Sequence, residues 1–248
     1  MTTAPDSPLL AKKRKQLALP TDLDLSSLVL TADWHLSHPN ILRYCPNRKS
    51  ATIEEMEESL VTRYNEIVGP GDVVIFAGDF FWKGCRGDSA SSETVRFRLE
   101  RMRRCLERLR GRKYLVRGNH DTFREDEYLS AGFLGFGDVA VLQADGDTFT
   151  VLHSPRDVVA PYVKRAGCAG DRYTGRPEDY GALSDVIAEI PGRYVCGHVH
   201  RLWRRIGPFV NVGVDVWDGR PVRFCEIPPL FARETQARPH PPESMGYI

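Results

Sequence analysis

Five apolar runs in this chain end on side chains suited to binding metal ions. The most telling is Tyr114-Leu115-Val116, which passes directly into Arg117-Gly118-Asn119-His120-Asp121. The run over residues 25–32 (LSSLVLTA) meets Asp33-Trp34-His35, and the run over 72–77 (DVVIFA) meets Gly78-Asp79. Residues 149–152 lead into His153, and residues 193–196 into Gly197-His198-Val199-His200. A β-strand spends its apolar side chains on burial, so residues just past its end are held firmly and still face a cleft. The carboxyl ends of strands in open α/β sheets are where ligands bind. Each Asp or His alone has an ordinary structural explanation as a loop cap or hydrogen-bonding residue; their coincidence at one kind of position is the signal. Counting His38, six of the seven histidines lie in or beside these turns, and only His240 does not.

Between these strands the apolar spacing changes to a helical period. Residues 52–68 carry Ile53, Met56, Leu60, Tyr64 and Ile67 on one face, with Thr52 as N-cap and Glu55 three residues on. Gly69-Pro70-Gly71 stops that helix. A second helix is expected over 92–110, with Val95, Leu99, Met102, Leu106 and Leu109 inward and an arginine-rich outer face from Arg96 to Arg110. Strands are expected over 138–142 and 149–152 around an Asp145-Gly146-Asp147 turn. A Gly-, Arg- and Pro-rich connection follows over 156–177, then a helix over 178–190. Residues 202–206, 209–216 and 222–227 are expected to close the fold as a β-meander. Strands alternating with helices imply parallel pairing, and the later strands add antiparallel pairing. The expected fold class is α/β, a layered αββα sandwich with mixed sheets and a dinuclear metal site at the strand ends. Residues 21–228 form the domain, between a basic N-terminal tail (1–20) and a Pro-rich C-terminal tail (229–248).

Composition narrows the function classes. In 248 residues, 42% hydrophobic and 27% charged content is that of a globular chain with a real core. A net charge of +1 argues against a generally nucleic-acid-like surface. The run Lys12 to Lys15 is either a nucleic-acid arm or a solvated charge cluster. Six cysteines without any Cys-x-x-Cys pair fit reduced thiols better than a disulfide framework or zinc ribbon. No signal peptide and no 18-residue apolar segment is evident, so no membrane partner is expected and a cytoplasmic location is.

An Asp-x-His pair at a strand end reaches one ion only if the turn re-aims both side chains. Carboxylate, imidazole and amide oxygen without thiolate favour Mn²⁺, Fe or Zn²⁺ over copper(I), Mg²⁺ or Ca²⁺. Two ions ~3.5–4 Å apart need a shared ligand, and an aspartate can bridge. In this order, Asp33-x-His35, Gly78-Asp79, Gly118-Asn119-His120-Asp121, His153 and Gly197-His198-x-His200 resemble the motif set of the calcineurin-like metallophosphoesterase superfamily. The stretch from Asp33 to Ile41, Arg43-Tyr44-Cys45 and the late Asn211-Val212-Gly213-Val214-Asp215-Val216-Trp217 resemble a small bacterial and phage branch of it. The resemblance implies that Asp33, His35, Asp79 and His200 hold one divalent ion, with Mn²⁺ the first expectation. It implies that Asp79, Asn119, His153 and His198 hold a second, with Asp79 bridging.

The expected reaction is phosphoester hydrolysis by a metal-bridging hydroxide, on phosphodiesters or monoesters of nucleotides or nucleic acid. His120 would protonate the leaving oxygen, and Asp121 would either orient His120 or bond its own loop. His38, Asn40, Arg43 and Arg117, with Arg165, Arg172 and Arg176 in the 156–177 connection, are the candidate substrate contacts. Trp82, Phe80 and Phe81 would either stack a base or pack in the core. A phosphoprotein phosphatase is the alternative, weakened because no second Asp follows Asp79 in a Gly-Asp-x-x-Asp-Arg pattern. A non-catalytic scaffold is a third, opposed by the complete ligand set. Nothing in the sequence specifies the oligomeric state.

Overall fold

The computed structural model describes residues 14–84, 92–166 and 184–232. Two five-stranded sheets lie face to face. The first comprises β1 (Leu28–Thr31), β2 (Val73–Phe76), β3 (Arg112–Val116) and β4 (Gly135–Gly137), in parallel order, with β10 (Val222–Arg223) antiparallel on the outer side of β1. The second orders β5 (Ala140–Ala144), β6 (Asp147–Val151), β7 (Arg193–Cys196), β9 (Phe209–Asn211) and β8 (Arg205–Ile206). It mixes antiparallel β5–β6 and β8–β9 pairs with parallel β6–β7 and β7–β9 pairs.

Strand alternation sorts the core into three layers. Leu28 and Leu30 of β1, with Val73, Ile75, Tyr114 and Val116, point between the sheets against Leu142, Phe149, Val151, Val195 and Val210. Val29, Val74, Phe76 and Leu115 point the other way. Beyond the one-turn α1 (Ile41–Tyr44), they pack under α2 (Ile53–Ile67), α3 (Ser92–Arg108) and α4 (Glu125–Ala131) through Met56, Leu60, Tyr64, Met102, Leu106 and Tyr128. On the far side, α5 (Arg156–Ala166) and a short helix, Ser184–Ala188, cover the second sheet through Val158, Val159 and Ile187. This is the expected αββα sandwich. The α2 N-terminus is capped as its sequence implies: Thr52 Oγ1 accepts from the Glu55 amide, although the Glu55 carboxylate takes its bond from Ala51.

Several boundaries differ from expectation. The N-terminal tail does not extend to residue 20. Leu17 is 2% exposed, its N–H donates to Val139 O at 2.7 Å, and Arg14 pairs with Asp157. The glycines around 135–137 disguise β4 as a loop, but they make this docking possible: a Cβ on Gly137 would lie 2.6 Å from the Leu17 nitrogen. Residues 156–166 form a helix, because Val158, Val159 and Tyr162 supply an apolar face concealed by the composition of the whole stretch. Of the expected β-meander only the β8–β9 hairpin forms, and its third strand joins the other sheet. Val214–Val216 is a 3₁₀ turn that crosses to the first sheet, its Val214 N–H donating to Ala32 O, and β10 then joins β1. Residues Pro228–Ala232 are helical, and Leu230 and Phe231 pack on the inter-sheet core, so the C-terminal tail starts later than 229. Among the described residues no helix is long and apolar enough to cross a membrane.

Candidate metal centre

The loops after β1, β2, β3, β6 and β7 gather at one end of the sandwich. Those after β1 and β2 stay hydrogen-bonded to each other past the strands, Asp33 N–H to Gly78 O and His35 N–H to Asp79 O. The turn that must re-aim each Asp-x-His or His-x-His pair is visible in the backbone. Asp33, His35, Asp79, His198 and His200 all have φ between 45° and 72°. Left-handed backbone is uncommon for residues with a Cβ and collects at functional sites. Five of the nine such residues among those described are expected ligands, so the strain is concentrated where side chains must converge.

Ligand atoms of Asp33, His35 and His200 lie within 4.8 Å of one another, as do those of Asp79, His153 and His198. Asp79 Oδ2 sits 3.6 Å from His35 Nε2 on one side and 3.1 Å from His153 Nε2 on the other. Asn119 Oδ1 lies 2.9 Å from both His153 Nε2 and His198 Nδ1. The two clusters are thus joined at Asp79. His35 tests whether cations fit here. It is 1% exposed, and neither ring nitrogen has a hydrogen-bond partner. A buried polar group left so costs about 1–3 kcal/mol, a cost that a cation shared with Asp33 and Asp79 would remove. Gly118 has no room for a side chain, since a Cβ would fall 2.1 Å from Asp79 Oδ1.

A second ring of residues orients the candidate ligands. His153 Nδ1 lies 2.9 Å from Ala77 O, a bond that leaves Nε2 for an ion. His200 Nδ1 lies 2.7 Å from Asp215 Oδ2, which likewise frees its Nε2. Asp215 is paired with Arg48 through two bonds, at 2.8 and 3.0 Å, with side chains 0% and 5% exposed. Arg48 also donates to the carbonyls of Asp33 and Trp34, so one guanidinium ties the β1 loop to the His200 support. Asn211 Nδ2 donates to His200 O and Trp203 O. Cys45 Sγ lies 3.4 Å from His200 Nδ1, on the nitrogen already committed to Asp215. The supporting roles of Arg48, Asn211 and Asp215 were missed from sequence. Only the order of Asn211 and Asp215 in the chain hinted at them.

A family model for calcineurin-like phosphoesterases matches residues 26–202. The chain belongs to that family. An uncharacterised protein of Methanocaldococcus jannaschii, MJ1445, is 29% identical over 133 residues, which is 54% of this chain and 61% of that one. This chain therefore spans about three-fifths of the length of its curated relative. A solved structure of a protein of unknown function from Aquifex aeolicus overlays with a TM-score of 0.51 at 24% identity, covering 82% of this chain and 98% of that one. That likeness speaks to the fold.

In this calcineurin-like domain His120 is partly buried, its N–H donating to Asp79 Oδ1 at 2.8 Å and its ring 5.1 Å from that of His35. Its ligand atom also falls within 4.8 Å of those of His35 and Asp79. Asp121 does not reach the His120 ring as a catalytic partner would. Its carboxylate accepts from the amides of Gly118, Asp79 and Phe80 at 2.8, 2.7 and 3.1 Å, and so clamps the β2 and β3 loops together. Burial, joined by the charge of Asp79, pushes Asp121 up to about 6. Asp79 is held below the ordinary carboxylate range, because His153 and His35 outweigh its burial. Burial would lower His153, but Asp79 raises it to about 9, while burial and His153 push His198 down to about 3.

His38 is buried beside the centre. Its Nδ1 accepts from the Asn40 amide and its ring packs 5.0 Å from Trp82; burial, then the neighbouring His120, lowers it to about 4. Asn40 and Arg43 are exposed at the rim. Arg117 is engaged, 3.4 Å from Asp138 and over the Phe136 ring. Arg172 and Arg176 lie outside the described residues, as does the side chain of Arg165. Phe80 and Phe81 are core, and Trp82 is partly exposed. The α3 arginines do not form a free basic face. Arg101, Arg103, Arg104 and Arg108 pair with Glu57, Glu100, Glu107 and Glu58, which neutralises a track for a nucleic-acid backbone.

Proposed function

We propose that this protein hydrolyses phosphoester bonds with two divalent cations, Mn²⁺ first among them. The observation that carries the reading is the placement of Asp79, one carboxylate within reach of His35 on one side and His153 on the other. Asp33, His35, Asp79 and His200 would hold one ion, and Asp79, Asn119, His153 and His198 the other. Such ions supply a water of lowered pKa and offset charge on the phosphoryl oxygens. The chain's own part is positional. The left-handed turns aim the ligands, Asp121 locks the two loops, and Asp215 and Ala77 O fix the ring faces of His200 and His153. Asn119 would coordinate without adding negative charge where an anionic ester must approach. His120, anchored through its amide to Asp79, is placed to protonate the leaving oxygen, a contribution of ~10²–10⁴-fold for a positioned acid.

The substrate class we propose is a phosphomonoester or phosphodiester of a nucleotide or nucleic acid. The partly exposed Trp82 ring, 5.0 Å from that of His38 and with the Arg98 guanidinium 5.6 Å from its centre, supports it as an aromatic and cationic edge to the centre that a base can meet. That Trp stands where the phosphoprotein-phosphatase pattern would carry its second Asp, which counts against that alternative. The intact ligand set counts against a scaffold. A cytoplasmic setting fits Cys45, Cys105, Cys196 and Cys225, all free thiols. The test is hydrolysis of p-nitrophenyl phosphate and bis(p-nitrophenyl) phosphate with Mn²⁺ and with a chelator. Release of nitrophenol that depends on Mn²⁺ is expected; none under any metal would sink the proposal.

A further inference from the structure

A cavity of about 530 Å³ opens beside the centre, with Asn119, His153 and His198 on its wall. It is several times larger than one phosphoryl group needs, and three arginines line it: Arg14, Arg117 and Arg156. Two of them are already matched. Arg14 pairs with Asp157 at 2.9 Å, and Arg117 with Asp138 at 3.4 Å. Arg156 is exposed and has neither an ion-pair nor a hydrogen-bond partner among the described residues. It is the first residue of α5, three positions after His153 and separated from it only by Ser154 and Pro155. The strand end that delivers a ligand to the second ion therefore also delivers a cation to the adjoining cavity. Pro155 restricts the backbone between them.

We infer that this cavity binds a second phosphate of the substrate, adjoining the one that is cleaved, and that Arg156 is the residue that grips it. The inference rests on the proposed phosphoester hydrolysis and refines it: the natural substrate carries two phosphates. A planar guanidinium suits a phosphate because it donates two parallel N–H groups. With the other two arginines neutralised by Asp157 and Asp138, selectivity for the second phosphate falls on Arg156. Two sources share this chemistry, a nucleoside bisphosphate carrying two ester-linked phosphates and the backbone of a nucleic-acid strand.

The test compares kcat/KM of wild type, Arg156→Ala and Arg156→Lys on three substrates with Mn²⁺. These are p-nitrophenyl phosphate, with one phosphate; a nucleoside 3′,5′-bisphosphate; and a 5′-phosphorylated dinucleotide. Arg156→Ala is expected to lose about 10–100-fold more on a two-phosphate substrate than on p-nitrophenyl phosphate, the effect of one charge-assisted hydrogen bond. Arg156→Lys should recover part of that loss, since charge remains without the fork. Whichever two-phosphate substrate shows the loss identifies the source. Equal losses on all three, or no loss on any, would overturn the role of Arg156 while leaving the hydrolase standing. Wild type inactive on all three would overturn the hydrolase itself and this subsite with it.

Discussion

Replacing Asp215 by Asn removes one charge from the buried support behind His200 and nearly preserves volume. Arg48 would then remain 5% exposed with no carboxylate, holding the carbonyls of Asp33 and Trp34, the Met56 sulfur and at most the one remaining amide oxygen. Removing one partner of a buried ion pair costs about 3–5 kcal/mol. Those carbonyls place this case near the lower end, at ~3 kcal/mol. For a chain of this size that corresponds to a fall in Tm of about 6–12 °C. The second effect is on the ion. With one acceptor oxygen in place of two, His200 and Arg48 compete for it, the 2.7 Å bond that fixes the His200 ring loses its charged acceptor, and metal affinity should drop about 10–100-fold. Thermal unfolding of metal-free protein reads the first effect, and Mn²⁺ titration calorimetry the second. Replacing both partners, Arg48→Met with Asp215→Leu, should recover most of the stability and none of the affinity. An Asp215→Asn variant that melts within ~2 °C of wild type and binds Mn²⁺ as tightly would refute the reasoning.

Three further substitutions separate the roles of adjacent residues. His120→Ala should keep both ions by elemental analysis and lose ~10²–10⁴-fold in kcat on esters with poor leaving groups; undiminished turnover on those esters removes it from the mechanism. Asp121→Ala leaves the Gly118, Asp79 and Phe80 amides without their acceptor, so a loss of about 3 kcal/mol is expected at ~1 kcal/mol per bond, read by urea unfolding. Wild-type stability would return Asp121 to the catalytic list. Gly118→Ala should abolish metal binding, since its Cβ would need to lie 2.1 Å from Asp79 Oδ1; normal Mn²⁺ uptake would contradict that packing.

The residues that converge at the candidate centre were legible because each follows an apolar strand, and burial of the strand fixes where its end points. The parallel pairing of the early strands and the layered class followed from strands alternating with helices. Legibility ended where tertiary contact overrides local pattern. β4 is two glycines around Phe136, chosen by the close approach of Leu17 rather than by strand propensity. The path from β9 to β10 depends on Val214 bonding across to Ala32, which no local sequence announces. Adjacency left Asp121 between orienting His120 and bonding its own loop; it accepts from Gly118 in that loop, and the positive-φ turn at Asp79 adds the Asp79 and Phe80 amides from the β2 loop. Arg48 and Asp215 are 167 residues apart and meet only through the fold.

Metal content of wild type and Asp79→Ala, purified with Mn²⁺ and measured by elemental analysis, tests the central claim most directly. Two ions per chain in wild type and none held by the variant is the predicted result, because both clusters meet at that carboxylate. Two ions retained after Asp79→Ala, or a wild type that binds none, would contradict it.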